Sequence, residues 1–208
     1  MTFKLWIVFA ATEFLLSMTP GPAVLLVVSQ GVKFGGRAST KGTAGILSGN
    51  ALYFVLSAAG LGTLLLASAQ LFQIIKWVGA GYLIFLGIKM LLSKAELTQQ
   101  IEGARSQQVS RKLFSQGLIT QLANPKAIIF FTALLPEFIT TNENVLLQFF
   151  ILGVTSIVCE FPVLVAYGWI AERGRRLMPK GRLAALPDRV AGMFLIGTGI
   201  GLATIRKP

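Results

Sequence analysis

Six blocks of apolar residues, each close to the length of a membrane span, constrain the fold of this chain more than any other feature. A helix that crosses a bilayer needs about 20 apolar residues. The blocks lie near residues 5–31, 43–67, 72–92, 114–135, 147–170 and 190–205. Only 13% of the 208 residues are charged, against roughly a quarter in a soluble domain. We therefore predict an all-α integral membrane protein with six transmembrane helices in a lipid bilayer.

The basic residues indicate how these spans are oriented. The net charge is +11, which is a pattern that nucleic-acid-binding surfaces also show, but the lysines and arginines lie in short stretches between apolar blocks. The first, third and fifth connections hold fourteen of them and the opposite side holds four. Basic loops stay on the cytoplasmic side of a membrane. We predict that loops 1-2, 3-4 and 5-6 are cytoplasmic, that both termini are outside, and that no nucleic acid is bound.

The two halves of the chain resemble each other. Residues 93–112 are polar and rich in glutamine, and they predict a cytoplasmic linker between residues 1–92 and residues 113–208, each with three spans. Pro20 and Pro125, in the first spans of the halves, are 105 residues apart, and Gly49 and Gly153, in the second spans, are 104 apart. Because three is odd, the second copy must enter the membrane from the opposite face. The pattern favours an inverted repeat, typical of secondary transporters, over a chance likeness of apolar segments.

The segment Thr19-Pro20-Gly21-Pro22 interrupts the first span. Its prolines remove backbone donors and clash with the preceding turn, so the helix must break there. The apolar run resumes directly afterwards, which favours one interrupted helix over a cleaved signal peptide. Thr19 is a suitable N-cap and Pro20 a suitable first helical residue. We predict a half-helix that starts at midplane and exposes its positive end.

Asn124-Pro125-Lys126 repeats this arrangement in the fourth span. Asn124 is the predicted N-cap, Pro125 the first helical residue, and Lys126 adds a positive charge to the first turn. Two half-helix N-termini that approach from opposite faces would form a pocket for a carboxylate. The alternative is a pair of packing kinks. We predict that Thr19 to Gly21 and Asn124 to Lys126 bind substrate.

Two glutamates lie within apolar spans. Glu160 is near the middle of the fifth span, where an acid costs about 2.5 to 3.5 kcal/mol to insert, so it should face the bundle interior. It fits three roles: a countercharge to Lys126, a ligand for a substrate ammonium group, or a protonation site. Glu13 either lines an outward-facing vestibule or reaches the interface, and it is a second candidate for proton coupling. Asn50 and Tyr53 share one stripe of the second span and are further candidates for substrate binding.

Several classes of site are missing from the sequence. The chain has no histidine and a single cysteine, Cys159, so the common nucleophile pairs and histidine-based zinc sites are excluded. We predict no catalytic site, no cofactor and no metal site. Glycine-rich helix faces suit internal packing or a homodimer interface equally well.

The chain also resembles the LysE/RhtB family of amino-acid exporters over nearly its whole length. The residues that carry the resemblance are Thr19-Pro20-Gly21-Pro22 with Ser29-Gln30, Leu122-Ala123-Asn124-Pro125-Lys126-Ala127 with Phe130-Phe131, and Asp188-Arg189-Val190-Ala191-Gly192. The resemblance implies efflux of amino acids such as threonine, homoserine, lysine or leucine across a bacterial inner membrane, driven by the proton-motive force. Many members carry Asp or Asn after Pro-Gly-Pro, whereas this chain has Ala23.

Together these features predict a secondary transporter that exports an amino acid in exchange for protons. The carboxylate would lie at the two half-helix N-termini, and Glu160 would take the ammonium group or the coupling proton. The alternatives are efflux of another small solute or drug, and a passive channel.

Overall fold

The computed structural model describes residues 1–60, 69–92, 104–140, 142–177 and 186–204. These residues form eight α-helices and no strand, so the predicted all-α class is confirmed. The helices are α1 (Phe3–Met18), α2 (Pro22–Phe34), α3 (Gly36–Ala58), α4 (Ala69–Leu91), α5 (Ala104–Leu122), α6 (Pro125–Ile129), α7 (Val145–Leu177) and α8 (Leu186–Thr204). A π-helical turn (Phe130–Leu134) and a 3-10 turn (Leu135–Phe138) follow α6 directly.

Both predicted helix breaks are present. The chain bends by 51° between α1 and α2 and by 47° between α5 and the segment that begins with α6. At the first break the predicted cap is wrong: Gly21 is the N-cap of α2 and Pro22 its first residue, whereas Thr19 is the C-cap of α1. The cause is the second proline, because a residue that precedes proline is disfavoured in the helical region. Thr19 and Gly21 each precede a proline and are both extended.

By length and composition, the described residues contain one helix that could cross a membrane, or up to three such elements if each bent pair is one span. Val145–Arg175, within α7, is long and apolar enough to cross a membrane alone, with a mean hydropathy of 2.2. Each bent pair qualifies when it is counted as one span, and the apolar parts of α4 and α8, Trp77–Leu91 and Arg189–Gly201, are shorter. Helix α3 begins in a polar stretch, and its predicted span continues to residue 67, beyond the described residues.

The last part of the predicted linker is helical. Helix α5 begins at Ala104 and includes Arg111 and Lys112, whose side chains are exposed. Polar residues such as Arg, Lys and Gln are good helix formers, so polarity alone does not make this stretch a loop. Residues 93–103 of the linker and the C-terminal residues 205–208 lie outside the described part of the chain.

Glycines bring several helices into close backbone contact. Helix α3 packs along α5, α7 packs along α1, α2 and α3, and α4 packs along α8. A Cβ atom at Gly117 of α5 would collide with the backbone oxygen of Gly42 in α3. Gly87 of α4 and Gly192 of α8 face each other in the same way. Such contacts hold the helices that surround the two breaks at short distance.

Candidate functional site

A pocket lies where the two helix breaks meet. Seven of the predicted site residues line it: Glu13, Thr19, Gly21, Asn50, Asn124, Lys126 and Glu160. Three others, Pro20, Tyr53 and Pro125, are not among its lining residues. The structure thus places residues from α1, α3, α6, α7 and both breaks around one space.

The first break presents backbone donors without a side-chain cap. The first hydrogen bond within α2 runs from the N–H of Leu25 to the oxygen of Gly21 (3.0 Å). The N–H groups of Ala23 and Val24 therefore have no acceptor in their own helix, and Gly21 has no side chain to cap them. All three residues line the pocket. The Thr19 hydroxyl turns back and donates to the oxygen of Leu15 (3.0 Å).

The second break is capped as predicted. The Asn124 side chain accepts from the backbone N–H of Lys126 (3.0 Å), and Pro125 is the first residue of α6. The Lys126 ammonium group reaches across to the other break, where it donates to the backbone oxygens of Leu16 and, at 3.3 Å, Thr19. These oxygens belong to the last turn of α1, whose negative dipole end attracts a cation. Lys126 therefore connects the two breaks.

Two buried carboxylates face the same pocket. Glu160 accepts a hydrogen bond from the side-chain amide of Asn50, and Glu13 accepts one from the hydroxyl of Ser156. Glu13 is 7% exposed and Glu160 is 9% exposed. Within the described part of the chain, neither carboxylate lies within 4.0 Å of the Lys126 ammonium group. The pocket thus combines one cation, two carboxylates and free backbone donors without a direct ion pair.

Gln121 is the main residue that the sequence interpretation missed. Its side-chain amide donates to Asn50 (2.5 Å) and accepts from Asn124 (3.1 Å). The available signal was its position: it is a glutamine at membrane depth, three residues before Asn124. Ser17 also lines the pocket and was not predicted; its hydroxyl donates to the oxygen of Phe14 (2.7 Å).

Tyr53 supports the second break from outside the pocket. Its hydroxyl donates to the backbone oxygen of Leu122 (2.7 Å), the last residue of α5. Its ring stacks on Phe131 with ring centroids 4.8 Å apart. Phe130 and Phe131 in turn form an apolar wall of the pocket. The lining of the site therefore combines the polar groups of the breaks and carboxylates with two aromatic rings.

Sequence comparisons show which known proteins this chain resembles. The family model for LysE type translocators matches residues 14–206. The chain is 36% identical to a homoserine/homoserine lactone efflux protein of Salmonella typhimurium, over 99% of both chains. It is 31% identical to a leucine efflux protein of Klebsiella pneumoniae, over 91% of this chain and 90% of that protein.

A membrane protein of Vibrio cholerae is 31% identical over 99% of this chain and its own full length. No solved structure matches the chain. The family match covers most of the chain, including both helix breaks and every residue described above except those of the first thirteen positions. The chain belongs to the family of LysE type translocators.

Proposed function

We propose that this protein is a secondary transporter that exports small neutral amino acids from the bacterial cytoplasm across the inner membrane, in exchange for protons. The family and its named efflux relatives indicate a transporter of amino acids rather than an enzyme. The observation that carries the proposal is the pocket itself, which is lined by Lys126, by residues with uncapped backbone donors and by two buried carboxylates. A zwitterion requires both kinds of partner in one small space.

The substrate carboxylate would bind between Lys126 and the start of α2. The ammonium group of Lys126 lies at the first break, and Ala23 and Val24, whose N–H groups are uncapped, also line the pocket. Backbone N–H groups and the positive end of a helix favour an anion. A substrate carboxylate would replace the backbone oxygens that Lys126 contacts now.

The substrate ammonium group would bind to Glu13 or Glu160. The chain has no histidine, so these two carboxylates, which line the pocket, are also our candidates for carrying a coupling proton. One carboxylate can hold the substrate while the other holds the proton. The aromatic wall of Phe130 and Phe131 favours an aliphatic substrate side chain over a charged one.

The arrangement of the halves supports the inverted repeat of residues 1–92 and 113–208. Tyr53, on the second predicted span of the first half, donates to the last residue of α5. Tyr167, on the second predicted span of the other half, donates to the oxygen of Met18 (2.9 Å), the last residue of α1. Each half thus supports the broken helix of the other. The excess of basic residues in loops 1-2, 3-4 and 5-6 favours a cytoplasmic position for these loops.

Transport in proteoliposomes tests the proposal. Vesicles loaded with labelled homoserine, threonine, leucine or lysine should release the neutral amino acids when a proton gradient is applied. Glu160→Gln and Lys126→Ala should each reduce the rate roughly tenfold or more, because each removes a charged hydrogen-bonding partner worth about 1.5 to 3 kcal/mol. The exposed residues Glu137 and Lys89 offer matched controls, and Glu137→Gln and Lys89→Ala should transport at the wild-type rate.

Other outcomes identify the alternatives. Wild-type rates in both pocket variants would show that the site is wrong. Release that continues equally without a gradient would indicate a passive channel. If no amino acid moves but another solute does, the protein exports a different class of substrate.

A further inference from the structure

Three side-chain amides connect Glu160 to the second helix break, and all of their hydrogen bonds are donated in the same direction, towards Glu160. Asn50 donates to the carboxylate of Glu160, Gln121 donates to Asn50 (2.5 Å), and Asn124 donates to Gln121 (3.1 Å). At the other end, the oxygen of Asn124 accepts the backbone N–H of Lys126 (3.0 Å). The exposed fractions of the three amide residues are 4%, 4% and 3%. We call these three residues the amide chain.

The two ends of the amide chain fix its direction. A backbone N–H can only donate, and an ionised carboxylate can only accept. Each amide between them has one oxygen and one NH₂ group, so every amide must turn its NH₂ group towards Glu160. All three residues are almost fully buried, and an unpaired polar group in such a setting is costly.

Protonation of Glu160 changes the hydrogen bonding at one end of the amide chain, because the carboxyl group is then no longer only an acceptor. A neutral carboxyl group can donate its new O–H, which suits an Asn50 that presents its oxygen. If Asn50 turns, Gln121 and then Asn124 must turn as well to stay paired. Asn124 would then present its NH₂ group to the N–H of Lys126, and two donors cannot form a hydrogen bond.

We propose that Asn50 and Gln121 are positioning residues that couple protonation of Glu160 to the Asn124 cap of the second break. The proposal rests on the proposed function, because it deepens the proton-coupling role of Glu160. Protonation would remove the cap that holds the backbone of Lys126, the residue proposed to bind the substrate carboxylate. Proton uptake and substrate release would therefore occur at opposite ends of one hydrogen-bonded path.

Other charged and titratable groups near Glu160 offer alternative explanations for a pH-dependent change at Lys126, and a test must exclude them. Glu13 on α1 and Lys126 on α6 face the same pocket as Glu160. The Tyr53 hydroxyl on α3 is paired with Leu122 and does not belong to the amide chain. A change of charge on either carboxylate could act on Lys126 through space, without any amide. The decisive variant must interrupt the amide chain and leave all three charges in place.

The test follows the backbone amide of Lys126 by NMR in protein labelled with ¹⁵N-lysine and reconstituted in lipid nanodiscs without substrate. Between pH 9 and pH 5 the wild-type amide should lose its hydrogen-bonded chemical shift. Its hydrogen exchange, relative to a free amide at the same pH, should rise roughly fivefold, the change expected when a cap worth about 1 kcal/mol is lost. Glu160→Gln should abolish this titration, and Glu13→Gln should retain it.

Gln121→Met interrupts the amide chain with a side chain of similar shape, and it should also abolish the titration. Gln116→Met, on the same helix but outside the chain, should leave it unchanged. The backbone amides of the other lysines report whether each variant is folded. If Gln121→Met is not folded, Asn50→Leu, which also interrupts the amide chain, takes its place. A wild-type amide that does not titrate, or one that titrates equally in Gln121→Met, would overturn the proposal. Because no substrate is present, a positive result stands even if amino-acid export fails.

Discussion

The two helix breaks both contain proline, but the helices that follow them begin differently. The second break has a side-chain cap, Asn124, which is tied to other polar residues by the amide chain. The first break has Gly21 as its cap residue and no side-chain hydrogen bond that caps the start of α2. We therefore expect the second break to be the more rigid one, whereas the first leaves the N–H groups of Ala23 and Val24 without a cap.

Lys126 offers the strongest test of this comparison, because it belongs to the second break and stabilises the first. Lys126→Met should lower the free energy of unfolding by about 2 kcal/mol, since the oxygens of Leu16 and Thr19 lose a charged donor. Lys89→Met, at an exposed position on α4, should change it by less than about 0.5 kcal/mol. Urea or SDS titration of the purified protein measures both. Equal stability of the two variants would mean that Lys126 does not hold the first break.

The caps themselves provide the second test. Asn124→Ala should cost about 1 kcal/mol of stability because it removes a side-chain cap. Gly21→Ser would add a cap and should gain only a few tenths of a kcal/mol. The same change should weaken substrate binding several-fold, because the new hydroxyl competes for the N–H groups of Ala23 and Val24. Titration with substrate, followed by thermal stability, measures both effects.

Two matched variants control for the caps. Gly21→Ala adds a methyl group in ordinary contact with the Lys126 side chain (3.9 Å) but no cap, and it should bind substrate like the wild type. Thr19→Val removes a hydroxyl that contacts only its own helix and should also be near neutral. If Gly21→Ala weakens binding as much as Gly21→Ser, then space rather than free donors explains the effect.

The two tyrosines provide the smallest and most symmetric test. Tyr53→Phe and Tyr167→Phe each remove a hydroxyl group that donates a hydrogen bond to the last residue of α5 or α1, respectively. We expect the free energy of unfolding to fall by about 1 kcal/mol in Tyr53→Phe, whose hydrogen bond is partly buried. In Tyr167→Phe, whose hydrogen bond is exposed, it should fall by less than about 0.5 kcal/mol. Thermal unfolding in one detergent ranks them. The reverse order would contradict the view that the second break is the more rigid one.

The sequence predicted the features that depend on local chemistry. Proline deletes a backbone donor wherever it stands, so both breaks and the cap at Asn124 followed from the residues alone. The cap of the first break was predicted two residues too early, because the second proline decides where α2 can begin. The start of α5 was missed because helix formers and linker residues share a polar composition.

Contacts between segments that are distant in the chain could not be predicted from the sequence. Lys126 was expected to face an anion or Glu160, but its ammonium group donates to backbone oxygens at the end of α1. A pattern of side chains in the sequence cannot predict a contact with a backbone oxygen. Gln121 was passed over because a single glutamine in a span carries meaning only when its partners on α3 and α6 are known. The pairing of Glu13 with Ser156 likewise depends on how α1 packs against α7.

Gly21 and Lys126 belong to different breaks, but they are neighbours in the pocket. A Cβ atom at position 21 would already touch the Lys126 side chain. The volume of residue 21 and the length of residue 126 are therefore not independent. Among relatives, we expect these two positions to change together, so that a large residue at 21 accompanies a shorter one at 126 and a lysine appears in only one half.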